Sequence, residues 1–207
     1  EVPSTPFPNI ESAVERIQEA IHNNDMICVW GDFDVDGQTS TALLVQTLQA
    51  LDANVVYYIP IRGKESHGVH IESLKPILDN GAKLIVTCDT GITAHQAIDY
   101  ANSRGVDVLV TDHHDLGATL PNAKAIINPK LLPENHPLSN LAGVGVAYKL
   151  AETLLAFSGQ QSAISDSLLD LVALGLIADV ALLQGETRSL AQKGIQALRN
   201  TNRLGLK

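Results

Sequence analysis

Aromatic residues are scarce in this chain: three Phe, four Tyr and one Trp among 207 residues. A platform of exposed rings on which nucleic-acid bases could stack is therefore not evident. Only two cysteines occur, Cys28 and Cys88, each inside an apolar run and without a partner at metal or redox spacing. That excludes a disulfide scaffold and a zinc ribbon, and it suits a reducing cytoplasm. No apolar stretch approaches the ~18–20 residues that span a bilayer, and no signal peptide opens the chain, so no membrane association is expected. Basic residues are in the minority, 14 against 23 acidic ones, for a net charge of −9. Taken alone this argues against nucleic acid, whose binding rests on Lys and Arg. The charge is unevenly spread, however. From Glu186 onward Arg188, Lys193, Arg199, Arg203 and Lys207 face a single acid, Glu186 itself. An aspartate cluster loaded with divalent cations would also lose much of its negative field. The chain begins at Glu1 and ends on Lys207 just after a helical pattern, as expected of a fragment of a longer protein.

Apolar residues make up 45% of the chain, enough for one large domain or a domain with an added helical layer. From Asp25 to Lys130, short β-branched runs alternate with helical patterns. Strands are expected at Met26–Phe33, Asn54–Pro60, Lys83–Asp89, Asp107–Asp112 and Ala125–Asn128, and helices at Gln38–Leu51, Ile71–Leu78 and Ala94–Ser103. Near-continuously apolar strands separated by single helices mean a parallel sheet covered on both faces. After a loop marked by Pro129, Pro133 and Pro137, the stretches Val146–Phe157, Leu168–Ile177 and Leu190–Leu198 read as helices. The expected fold class is thus α/β: a doubly wound, mostly parallel sheet with helices on both faces, followed by a C-terminal helical segment. Its parts are an α/β core over 1–135 with metal-binding strand ends, and a helical segment over 136–207.

Ligands of open α/β sheets bind beyond the carboxyl ends of the strands, and the acids and imidazoles of this chain gather there. The first strand runs into Asp32-Phe33-Asp34-Val35-Asp36-Gly37, the third into Asp89-Thr90-Gly91, and the fourth into Asp112-His113-His114-Asp115. Neighbouring strands lie ~4.8 Å apart, so side chains leaving adjacent ends can converge on one ion. Carboxylates crowded this closely raise one another's pKa unless a cation holds them together. Oxygen donors with one or two imidazoles suit Mn²⁺ or Mg²⁺. Taken singly, each Asp reads equally as a helix cap and each His as a structural residue. Asp32-x-Asp34-x-Asp36-Gly37 also imitates the start of an EF-hand loop, but position twelve is Leu43 rather than glutamate. The same stretch is similar to the nucleophile loop of haloacid-dehalogenase-like phosphatases, whose later acidic pair and lysine have no good counterpart here.

Asp-x-Asp-x-Asp-Gly, Asp-Thr-Gly and Asp-His-His, in that order on successive strands, resemble the DHH phosphoesterase superfamily. Gly31–Gly37, Ser139–Ala147 (SNLAGVGVA) and Leu174–Val180 (LGLIADV) are similar to its single-strand-specific 5′→3′ DNA exonuclease branch, over about Asp25 to Arg199. The resemblance implies two divalent cations, Mn²⁺ first and Mg²⁺ second. Asp89 would bridge both, Asp36, His113 and Asp179 would complete one, and Asp34 would be the main ligand of the other with Asp32 in support. His114 would face the scissile phosphate. Many superfamily members carry a metal-binding His where this chain has Trp30, and an indole cannot ligate a metal; this implies a more weakly held second ion. Arg62, Lys64 and His67-Gly68 follow the second strand and could meet phosphates or simply be solvated. Gly143 and Gly145 precede a helix whose N-terminus could hold an anion, or they permit close packing. The implied partner is single-stranded DNA, gripped largely by a DHHA1 domain and an oligonucleotide-binding fold beyond Lys207, with a helicase or single-strand-binding protein joining through the full-length protein. The rival readings are a DHH phosphoesterase for short oligonucleotides or cyclic dinucleotides, a family II pyrophosphatase, and a non-catalytic replication or repair scaffold.

Overall fold

The computed structural model describes residues 7–159 and 161–207. The apolar, β-branched runs form five strands: β1 (Met26–Trp30), β2 (Val55–Tyr58), β3 (Ala82–Cys88), β4 (Asp107–Thr111) and β5 (Ala125–Ile127). They pair in the order β2-β1-β3-β4-β5, and every pairing is parallel. Trp30 lies opposite Tyr58 on one side and Thr87 on the other, while Cys88 lies opposite Thr111. The carboxyl ends of the three central strands are therefore level.

The connections are α2 (Val35–Ala50), α3 (Ile71–Asp79) and α4 (His95–Ser103). From β1 the chain steps outward to β2, then crosses back over β1 to β3. Right-handed crossovers in opposite directions must place their helices on opposite faces. Leu43, Leu44 and Leu48 of α2 accordingly pack on Ile27, Val29, Leu84 and Val86, whereas Leu74 and Leu78 of α3 join Cys28, Trp30 and Ile85. Sequence neighbours in β1 and β3 thus feed two different cores, the period-two signature of a sheet buried on both faces.

The α2 face is completed by α1 (Ile10–His22), α5 (Gly143–Phe157), α6 (Gln161–Ser167), α7 (Leu169–Ala178) and α8 (Gly185–Leu198). Val144, Leu150, Val172 and Leu176 share the core with Leu43 and Leu44, so residues on either side of 135 are packed together. Sequence reading did not anticipate α1, although Ile10, Ala13, Val14, Ile17 and Ala20 bury one helical stripe; α6 was not anticipated either. Boundaries also differ: α5 starts at Gly143 rather than Val146, and α8 at Gly185 rather than Leu190. β1 stops at Trp30 rather than Phe33, and α2 starts at Val35 rather than Gln38. The cause is a tight return after Gly31: a Cβ on Gly37 would lie 2.6 Å from the Asp32 carbonyl oxygen, so glycine lets the helix fold back over the strand end. Among the described residues, no helix is long and apolar enough to cross a membrane.

Candidate metal centre

β1 and β3 are adjacent, yet they send the chain to opposite faces, α2 on one and α4 on the other. This opens a crevice at their carboxyl ends. Asp34 and Asp36 enter it from the start of α2. Asp34 is the helix N-cap, and its carboxylate accepts from the Gly37 N–H at 2.9 Å. Asp36, two residues on, is 2% exposed. Its carboxylate receives the N–H groups of Gly143 at 2.6 Å and Val144 at 2.8 Å, so it sits on the N-terminus of α5. Burial and the neighbouring Asp89 still drive its pKa from 3.8 up to about 8, against the Val144 amide and His113.

Asp89 follows β3 in the left-handed region, φ 60°, and is 1% exposed. Its N–H is fixed on the Thr111 carbonyl at 3.0 Å. Burial first, then the charge of Asp34, raises its pKa to about 9, with His114 opposing. Its Oδ1 is buried and receives no hydrogen bond. The Nε2 of His113 lies 3.0 Å from that oxygen and 3.8 Å from Oδ2 of Asp36, between the two carboxylates but without the alignment of a hydrogen bond to Asp89.

Asp112 organises the imidazoles. Fully buried, it accepts the N–H groups of His113 (2.7 Å), His114 (3.1 Å) and Ile92 (2.9 Å), and it holds the His114 Nδ1 at 2.7 Å. Burial alone would raise its pKa, but the His114 ring and these amides outweigh it and keep the carboxyl below its ordinary value. His114 responds in the opposite sense: its bond to Asp112 raises its pKa from 6.5 to about 9, with burial opposing. Sequence reading quoted Asp112 within its motif but assigned it no role; the signal available was that an aspartate closing a buried strand must find donors.

Asp179 arrives from the far end of the chain as the C-cap of α7. One turn earlier, a Cβ on Gly175 would lie 2.8 Å from Oδ1 of Asp36, and its absence lets α7 approach. Two donor groups result, each with atoms within 4.8 Å of one another: Asp36, His113 and Asp179, and Asp89, His113 and His114. They share His113. Asp32 and Asp34 belong to neither group. Asp32 accepts from the Phe33 N–H at 2.5 Å and pairs with His67 Nδ1 at 2.7 Å, while Asp34 serves as a cap.

The crevice continues into a cleft of about 460 Å³ lined by Phe33, Asp34, Asp36, Arg62 and Asp179 among others. The Arg62 guanidinium lies 4.6 Å from the Phe33 ring centroid and the His67 ring 4.1 Å from it, so both contact Phe33. Gly143 and Gly145 do not offer free amides. The anion on that helix end is Asp36, and the Gly145 N–H bonds the Ala142 carbonyl. Trp30 points away from the crevice into the α3 side, where its Nε1–H donates to the Gly68 carbonyl at 3.3 Å and its ring stacks on Tyr58.

A doubly wound parallel sheet with oxygen and imidazole donors gathered at its switch point defines an α/β protein built around a hard-cation crevice. The chain belongs to the DHH family, whose N-terminal domain matches residues 26–176. It is 45% identical over 198 residues to the single-stranded-DNA-specific exonuclease RecJ of Bacillus subtilis, covering 96% of this chain and 24% of that protein. The RecJ of Escherichia coli is 41% identical, with 96% and 36% covered. Among solved structures, exonuclease RecJ bound to manganese superimposes with a TM-score of 0.90 at 36% identity, over 98% of this chain and 51% of that one. RecJ from Thermus thermophilus in complex with Mn²⁺ gives 0.85 at 33% identity, over 100% and 29%. The chain thus spans a quarter to about a third of the length of these two curated relatives.

Proposed function

We propose that this chain is the catalytic part of a divalent-cation-dependent exonuclease that hydrolyses phosphodiester bonds from the 5′ end of single-stranded DNA. The observation that carries this reading is the buried, unbonded Oδ1 of Asp89 beside Asp36 and two imidazoles. Two carboxyls raised to about 8 and about 9 by burial and neighbouring carboxylates are groups whose ionised form a bound cation would favour. Mn²⁺ or Mg²⁺ suits an all-oxygen and imidazole donor set. The residues that would hold the ions are Asp36, His113, Asp179 and Asp89, with Asp34 within electrostatic reach of Asp89 and Asp32 behind it. Bound cations supply Lewis acidity, activating water near neutral pH and offsetting charge on the phosphoryl oxygens.

The chain's own groups do the rest. Asp112 keeps His114 protonated through Nδ1, leaving Nε2 to donate to a non-bridging phosphoryl oxygen. Arg62, propped on Phe33, meets a backbone phosphate at the cleft, and His67 lies beside it on Asp32. The free, buried thiols of Cys28 and Cys88 suit a cytoplasmic setting. The sheet core over 1–135 and the helices over 136–207 form the catalytic portion, and a helicase or single-strand-binding protein would act through the longer protein. The test offers 5′- and 3′-labelled single strands, duplex, cyclic dinucleotide and pyrophosphate with Mn²⁺. Mononucleotide release from 5′ ends of single strands, abolished by Asp89→Ala with the fold intact, is expected. Turnover of only the cyclic dinucleotide or pyrophosphate would refute the reading, as would an active Asp89→Ala.

A further inference from the structure

The segment between β2 and α3 brings Arg62 and His67 to the cleft; Pro60 and Val69 anchor its two ends, but the turn between them has no apolar burial. Ile61, Arg62, Gly63 and Lys64 are exposed, and Gly63 and Gly68 adopt positive φ with open space around them. Within the 61–67 turn Glu65 is the half-buried residue. Its carboxylate takes the Tyr58 hydroxyl at 2.8 and 2.9 Å, the Ser73 hydroxyl at 2.5 Å and the Ile61 N–H at 3.0 Å. These donors belong to the end of β2, to the first turn of α3 and to the segment itself. The N–H groups of Lys64 and Glu65 both return to the Ile61 carbonyl, so the Arg62 turn closes around this carboxylate. Charge-assisted hydrogen bonds of this kind are about twice as strong as neutral ones.

We propose that Glu65 is a positioning residue for substrate capture: it ties the β2–α3 segment to the sheet and to α3, setting Arg62 on Phe33 and His67 on Asp32. This rests on the nuclease reading above. The chain supplies its own reporter, because its single tryptophan, Trp30, donates to Gly68 in the same segment. Glu65→Ala removes every acceptor. Glu65→Gln keeps one oxygen for the Ile61 N–H, while the Tyr58 and Ser73 hydroxyls can rotate to accept from its amide.

With Mn²⁺ and a 5′-labelled single strand, Glu65→Ala is expected to raise KM about 10-fold and change kcat less than about 2-fold, the signature of lost binding shared by ground and transition states. Glu65→Gln should restore most of the affinity. In an Arg62→Ala background, Glu65→Ala should add about 2-fold or less, because the two act as a unit. Trp30 emission in Glu65→Ala should shift to the red and quench more readily with acrylamide, while the Mn²⁺ titration matches wild type. An unchanged KM, an undiminished effect in the Arg62→Ala background, or unchanged Trp30 emission would each overturn the proposal. If the wild-type protein hydrolysed no DNA, the nuclease reading would fail instead, and Trp30 emission would still decide whether Glu65 holds the segment.

Discussion

Gly143 is the position where one methyl group tests the whole arrangement. A Cβ there would lie 2.6 Å from Cβ, 2.7 Å from Oδ1 and 2.9 Å from Cα of Asp89. Carbon atoms in contact prefer roughly 3.5–4.0 Å, so Gly143→Ala demands a separation of about 1 Å. Asp89 has little room to yield: its backbone is in the left-handed region and its N–H is fixed on Thr111. If α5 retreats instead, the Gly143 and Val144 amides leave Asp36, with which they bond at 2.6 and 2.8 Å. Overpacking of this kind costs about 1–3 kcal/mol. The helix-propensity advantage of alanine, at most ~1 kcal/mol and smaller at a first turn, cannot mask it. A displacement near 1 Å among reacting groups costs on the order of 100-fold in rate. Gly145→Ala is the matched control, since its Cβ would meet mainly the Leu141 Cδ2, a side-chain end that can rotate away. Thermal melts, Mn²⁺ titration and single-strand hydrolysis on both variants are the assay. Gly143→Ala with wild-type kcat and Mn²⁺ affinity would refute the reasoning, as would an equal loss in Gly145→Ala.

Three further outcomes are expected. Without divalent cations, stability should fall as pH rises: the folded Asp36 and Asp89 keep protons up to about 8 and about 9 that the unfolded chain releases near 3.8, and His114, raised from 6.5 to about 9, adds to the same fall. Urea midpoints in EDTA should therefore decline between about pH 4 and about pH 9, and saturating Mn²⁺ should flatten the slope; a rise with pH across that window in EDTA would contradict the burial of these carboxyls. Asp112→Asn removes the anion that holds His114, so the His114 pKa should drop toward 6.5 and the alkaline limb of the rate profile should move down with it, as an NMR titration of the ring would show. Arg203→Ala should lower stability by about 1–3 kcal/mol, because Asp170, 7% exposed, loses its guanidinium at 2.8 Å and keeps only hydrogen-bond donors. Calorimetry would show this, and kcat should stay near wild type.

Strand alternation was legible because a sheet buried on both faces leaves continuous apolar runs, and Met26, Asn54, Lys83 and Asp107 each sit within a residue of a real strand start. The first helix carries an equally regular stripe in Ile10, Val14 and Ile17, but it precedes the strand–helix alternation and no strand leads into it. Asp36, Asp89 and His113 could be proposed together because parallel strands align their ends. Asp179 could not be reached that way: its place depends on α7 packing over α2 through Gly175, a tertiary contact with no local signal. Local hydrogen bonding explains the rest. Asp34 and Asp32 also carry roles that the motif does not show, one capping a helix and the other holding His67. The amides after Ala142 looked open to an outside anion because nothing in their neighbourhood shows that Asp36, more than a hundred residues earlier, supplies it. Glu65 is an unremarkable acid among polar residues until its donors from three elements are seen.

The carboxylate of Asp36 has two employments that selection cannot separate. It ties the first turn of α5 to the first turn of α2 and also lies beside His113 and Asp179. A residue at 36 that accepts no hydrogen bond would leave the buried Gly143 and Val144 amides without their partner, whatever becomes of residues 114 and 179. Even an isosteric asparagine at 36 would not serve, because the two amides bond different oxygens and the side-chain NH2 would face one of the N–H groups.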